Sequence, residues 1–136
     1  MITLSIPSSS NELVRVLDFI NMANGVVDCS IEFWMELLDT VQKIFINIVR
    51  YAFPNQEGIV KINLNYIGEQ HAIEISFFDE GIPYNPLGSL GQLSEFKSEN
   101  VMDGKLGVFI LEKATEKTDY VYINNKNITT IKKYLD

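Results

Sequence analysis

Asp79 is the residue whose position first asks for chemistry. Ile73, Ile75, Phe77 and Asp79 alternate with Glu74, Ser76 and Phe78, and in a strand those four side chains share one face. A carboxylate therefore stands on the parity that a core should cover. Gly81, Pro83 and Pro86 follow at once and end the strand. A carboxylate at the rim of a buried face can accept a hydrogen bond from a ligand, and a glycine beside it lets another group approach the backbone. Read without a ligand, the same residues make a strand end and an Asp-x-Gly turn. A second polar stripe, Lys43, Asn47, Arg50 and Tyr51, recurs at helical spacing and places an amide and two cations on one helix face. Read blandly, Asn47 is a boundary residue beside an apolar stripe.

The elements that must position these residues are legible in order. Ile2, Leu4 and Ile6 alternate into Pro7, a first strand. Ser8 to Asn11 offers an N-cap, and Leu13, Val14, Leu17, Ile20 and Met22 predict a first helix running to Asn24-Gly25. Ser30 caps a second helix with an apolar stripe from Trp34 through Leu37, Val41, Ile44 and Ile48 to Ala52, stopped near Phe53 by Pro54. Val60, Ile62, Leu64 and Tyr66 form one face of a strand, and Ile67 to Gln70 connects it in a hairpin to the strand ending at Asp79. Residues 82–103 show no sustained period and hold Gly88 and Gly91; a stretch of that length inside a small domain predicts a functional or mobile loop. Gly104-Lys105-Leu106-Gly107 leads into Val108, Ile110, Leu111 and Ala114, read as a third helix. Tyr120 to Ile123, a turn at Asn124-Asn125-Lys126, and Ile128 to Ile131 close the chain as a hairpin.

The chain of 136 residues suits one domain spanning 1–136, and 46% hydrophobic with 21% charged residues supplies an ordinary core. The net charge of −7 with no basic patch argues against nucleic acid. Cys29 and His71 are single residues of their types, which argues against a disulfide framework and against cysteine- or histidine-rich metal sites. No stretch reaches membrane-spanning length and no leader pattern opens the sequence, so the expectation is a cytoplasmic protein without a membrane partner.

Taken together, strand, helix, helix, hairpin, loop, Gly-rich helix start and hairpin predict an α/β (α+β) two-layer sandwich: a mostly antiparallel mixed sheet covered on one face by helices. At this point the chain resembles the GHKL superfamily of ATP-binding domains, and within it the bacterial anti-sigma factor serine/threonine kinases. The family's boxes look matched by Asn47-Ile48-Val49-Arg50-Tyr51-Ala52-Phe53, by Asp79-Glu80-Gly81-Ile82-Pro83-Tyr84-Asn85-Pro86 and by Gly104-Lys105-Leu106-Gly107. The resemblance implies the Bergerat ATP-binding fold, ATP or ADP as ligand, and Mg²⁺ on Asn47. It implies Asp79 at the adenine amino group with Gly81 and Pro83 beside it, and Thr130 supporting Asp79. Gly104, Lys105, Leu106 and Gly107 would lie at the phosphates, and 84–103 would be the lid. A glycine-rich helix start is a natural phosphate site, and Mg²⁺ takes few protein ligands when phosphates supply the rest.

The resemblance also implies partners. Relatives bind a sigma factor and phosphorylate a serine on a small antagonist protein, often as homodimers, and Arg15 matches an arginine at their partner surface. One position departs from the pattern: Lys43 stands where the family places the glutamate that activates the accepting serine. An ordinary lysine is protonated at neutral pH and cannot take that proton; paired with Asp39 one turn earlier, it would be a plain helix-surface charge. A further departure is Tyr51, where many relatives carry histidine. Two functions follow as expectations: an ATP-binding anti-sigma kinase, or a catalytically impaired nucleotide-binding or protein-interaction module.

Overall fold

A computed structural model describes residues 1–89, 96–97, 105–113 and 116–136, with side chains described for 1–87 and 116–136. Strand β1 (Ile2–Pro7) leads through a 3₁₀ turn at Ser10–Glu12, N-capped by Ser9, into α1 (Leu13–Asn21). Helix α2 (Ile31–Asn47) begins on Ser30, whose hydroxyl accepts the Phe33 N–H at 3.1 Å. It continues as a π-helical turn over Ile48–Ala52. Next come β2 (Ile59–Ile67), β3 (Ala72–Asp79), β4 (Phe96–Lys97), β5 (Lys105–Lys113), β6 (Glu116–Ile123) and β7 (Lys126–Tyr134).

The strands form one seven-stranded sheet in the order β1-β2-β3-β7-β6-β5-β4. Among the described residues every adjacent pair is antiparallel, so the expected two-layer α+β arrangement holds there while the expected mixed sheet is not seen. Alternation decides which face is covered. Val60, Ile62 and Leu64 of β2, Ile73, Ile75 and Phe77 of β3, and Ile131 of β7 are buried with Val16, Ile20, Leu37, Val41, Ile44 and Ile48 of the helices. The apolar stripe of α2 thus supplies the middle of the core.

The expected third helix is a correction. Val108, Ile110 and Leu111 lie in β5, paired with β6 through Val108↔Val121 and Leu111↔Thr118. Leu106, Val108 and Ile110 also alternate with period two, and for a short apolar run that period competes with the helical one; β-branched and aromatic residues favour the strand. With it goes the Gly104–Gly107 turn as a helix start, because Lys105, Leu106 and Gly107 are strand residues. Gly104 itself, and positions 90–95 and 98–103 of the expected lid, lie outside the described residues.

Candidate functional site

The site is assembled at the end of β3, the strand flanked by β2 and β7. Asp79 is 4% exposed. Its Oδ1 accepts two hydrogen bonds, from the Gly81 N–H at 2.9 Å and from Asn127 Nδ2 at 2.8 Å. Burial lifts the carboxyl above its ordinary value, while the bonds from Asn127 and Gly81 act the other way. Both bonds fall on one oxygen, so among the described residues Oδ2 is the atom left to meet a donor.

Asn127 organises the surroundings. It pairs across from Asp79 on β7, and its Nδ2 also donates to the Ile82 carbonyl at 3.0 Å. Its Oδ1 accepts the Tyr84 N–H at 3.1 Å and the Tyr120 hydroxyl. Burial pushes the Tyr120 phenol well up, so it remains a donor. The loop leaving β3 is thereby tied to β7 and β6 by one buried amide, which is the arrangement a buried polar network needs in order to be stable.

Gly81 is required by a close approach. A Cβ built on it would lie 2.4 Å from the Ala52 carbonyl oxygen, and that same carbonyl accepts the Ile82 N–H at 2.9 Å. The π-helical turn after Asn47 brings Ala52 to this place; such turns leave carbonyls off the regular helical ladder. Between that turn and β6, a cleft of about 420 Å³ is lined by Ala52, Phe53, Gly81, Ile82, Pro83 and Tyr122. Its size falls within the span of small-molecule pockets.

Thr130 is a correction. It pairs with Ser76 on the sheet face away from Asp79, its hydroxyl 3.2 Å from that of Ser76. Thr129 is the threonine that shares the face of Asp79, opposite Phe77. Its side chain is buried and its hydroxyl has no hydrogen-bond partner among the described residues. A buried unpaired hydroxyl costs about 1–3 kcal/mol, so native proteins usually give one a partner.

The helix residues stand nearby but are differently engaged. Asn47 Nδ2 donates to the Pro86 carbonyl at 3.2 Å, which joins α2 to the loop after β3, and Tyr51 packs on Tyr84 with ring centroids 4.9 Å apart. Lys43 is exposed and forms an ion pair with Asp39 at 2.9 Å; it is the helix-surface charge described above. Glu36, another carboxylate of this helix, pairs with Lys133 of β7 at 2.7 Å. Arg15 is exposed on α1 and held by Glu12 at 2.6 Å. Pro83 lines the cleft.

Sequence reasoning singled out Asp79, Gly81, Pro83 and Asn47, and it did not single out Asn127, Thr129 and Tyr120, which surround Asp79 in the structure or share its face. The signal for Asn127 was present: folding the last hairpin about Asn124-Asn125 pairs Tyr122 with Asn127. Placing that hairpin beside β3 needs the long-range β3–β7 register, which no local pattern carries. Compared with models of known families and with curated proteins, the chain matches no family model and no curated protein.

Proposed function

We propose that the protein binds an adenine nucleotide at the Asp79 site, in a Bergerat-type arrangement, and acts as a regulator of the kind that the resemblance to anti-sigma factor kinases implies. The observation that carries this reading is the division of labour at Asp79. One carboxylate oxygen holds the turn together, and the other has no hydrogen-bond partner among the described residues, on the same buried face as the Thr129 hydroxyl, which also lacks one among them. A carboxylate and a hydroxyl on one buried face suit a heterocycle that presents an amino donor beside a ring acceptor, as adenine does. The cleft at Gly81 and Pro83 lies beside the turn that follows Asp79, and Asp79 itself lines a separate opening with Ser5, Lys61, Phe78 and Lys126.

The phosphates take no contact from a helix start at Gly104–Gly107 in this reading, because that segment enters a strand. They lie toward Asn47, on which the resemblance places Mg²⁺. The catalytically impaired module is favoured over the active kinase by one observation: Lys43 is exposed and paired with Asp39, and Glu36 is engaged by Lys133. At the position that the resemblance gives the base stands Lys43, not a carboxylate. General-base assistance is typically worth about 10²–10⁴-fold, so transfer to an antagonist serine is expected to be slow or undetectable.

Calorimetric titration tests the nucleotide reading. ATP and ADP are expected to bind and GTP is not, because guanine turns a carbonyl oxygen toward Asp79 where adenine turns an amino group. Equal heats from ATP and GTP, or none from any of them, would remove the reading. Fast transfer from radiolabelled ATP to a cognate antagonist in the same samples would replace the impaired module with an active kinase.

A further inference from the structure

The face of the sheet away from the helices carries an opening of its own. Asn127 and Thr129 are buried on the covered face, so Lys126 and Ile128 turn to the other one. The register sets one row across that uncovered face: Ser5 of β1, Lys61 of β2, Phe78 of β3 and Ile128 of β7 stand side by side. Next to this row, at the strand ends, an opening of about 230 Å³ is lined by Ser5, Ile59, Lys61, Phe78, Glu80 and Lys126, together with Asp79. The Asp79 carboxyl itself is buried and belongs to the covered face, so the opening looks away from the oxygen assigned to adenine.

Its two cations are the informative part. In a chain of net charge −7, Arg15, Lys43 and Lys133 each have a carboxylate within ion-pair distance. Among the described residues Lys61 and Lys126 have none, although Glu80 lines the same opening. Lys61 lies instead over the Phe78 ring, 4.7 Å from its centre, which holds its ammonium beside the opening. Lys126 follows the tight Asn124-Asn125 turn, both of whose residues have positive φ, so the place where its stem begins is fixed. Strands β2 and β7 flank β3, so the two stems start on the order of 10 Å apart, one on each side of Phe78. Two ammonium groups and the Ser5 hydroxyl can all donate hydrogen bonds. Donors set on three strands suit a tetrahedral oxyanion, which accepts in several directions, and lysine meets phosphate as a point charge. The volume is below that of ordinary ligand pockets, which limits the occupant to a small one.

We infer that this opening is a phosphate site: it takes a phosphate group, free or carried by a small ester, between Lys61 and Lys126, with the Ser5 hydroxyl as a further donor. The site is separate from the one at the Asp79 carboxyl and stands or falls independently of the nucleotide reading. Glu80 lowers its affinity, because a carboxylate on the rim repels the incoming anion.

The test is an NMR titration of the whole isotope-labelled chain with inorganic phosphate and, separately, with glycerol phosphate, at constant ionic strength balanced by chloride. Saturable shifts centred on the amides of Ser5, Lys61, Phe78 and Lys126 are expected. Lys61→Gln and Lys126→Gln are each expected to weaken binding about fivefold or more, as the loss of a charge-assisted contact implies, and Glu80→Gln to tighten it about threefold. Lys132→Gln, on the same face but outside the opening, is expected to bind as wild type does; the spectra themselves report that each exposed substitution leaves the fold intact. Tighter binding of glycerol phosphate would support the site and identify an organic ester as its ligand, and tighter or equal binding of inorganic phosphate would support it with the phosphate group alone as the ligand. No saturable shift with either anion would overturn the inference, as would Lys61→Gln and Lys126→Gln variants that bind like wild type. An equal loss from Lys132→Gln would overturn it too, because it would mark a diffuse charge effect in place of a site.

Discussion

Asp79 is costly to the fold, and that cost is informative. Its carboxyl is raised by burial, so the folded state holds the proton more tightly than the unfolded chain does. The contribution of this group to stability is therefore greatest below its unfolded value and is lost as pH rises through the folded one. A carboxyl group sits where an apolar side chain or an amide would be cheaper, which is the signature expected of a binding residue. Gly81 shows the same subordination of local freedom to the site. Gly81→Ala would drive a methyl group into the Ala52 carbonyl oxygen, 2.4 Å away, and neither backbone can yield without breaking the Ile82 to Ala52 hydrogen bond. A destabilisation of about 1–3 kcal/mol is expected by analogy with overpacked cores, read by urea denaturation; an unchanged midpoint would show that the turn and Ala52 do not meet as described.

At the scale of elements, what was legible in the sequence was whatever a single element decides by itself. The stripe of α2 and its Ser30 cap needed only helical spacing. The hairpin joining β6 and β7 needed only Asn124 and Asn125, whose φ values of 54° and 63° are those of a two-residue turn with both residues left-handed. Asn125→Val puts a β-branched residue into that region and should cost about 1–3 kcal/mol, measured by thermal melting, with Asn125→Gly tolerated; equal loss from both would point to a side-chain contact of Asn125 instead. Illegible were the features that depend on two elements at once. The run from Leu106 to Leu111 satisfies both a helical and a strand period, and only its pairing with β6 decides between them. Thr129 and Thr130 are neighbours in sequence, and a strand turns them to opposite faces. Which one meets Asp79 follows from the β3–β7 register, in which Asp79 stands across from Asn127.

At the scale of the whole molecule, two helices cover one face of an antiparallel sheet, and the polar network lies at the edge of that covered layer, where β3, β6, β7 and the end of α2 converge. The account makes Asp79 serve two masters through two oxygens, and one substitution separates them. In Asp79→Asn the amide oxygen can still accept from Gly81 and Asn127, while the amide nitrogen replaces Oδ2 and presents donors to the donor on adenine. The buried ionisable group, whose charged form burial disfavours, is replaced by a neutral amide, so the variant alone is expected to melt at the same temperature as wild type, or higher. Millimolar ATP should raise the melting temperature of wild type, as any ligand selective for the folded state does, and should leave Asp79→Asn unmoved. A wild type that ATP does not stabilise, or an Asp79→Asn variant that ATP stabilises equally, would contradict the claim that Asp79 reads adenine.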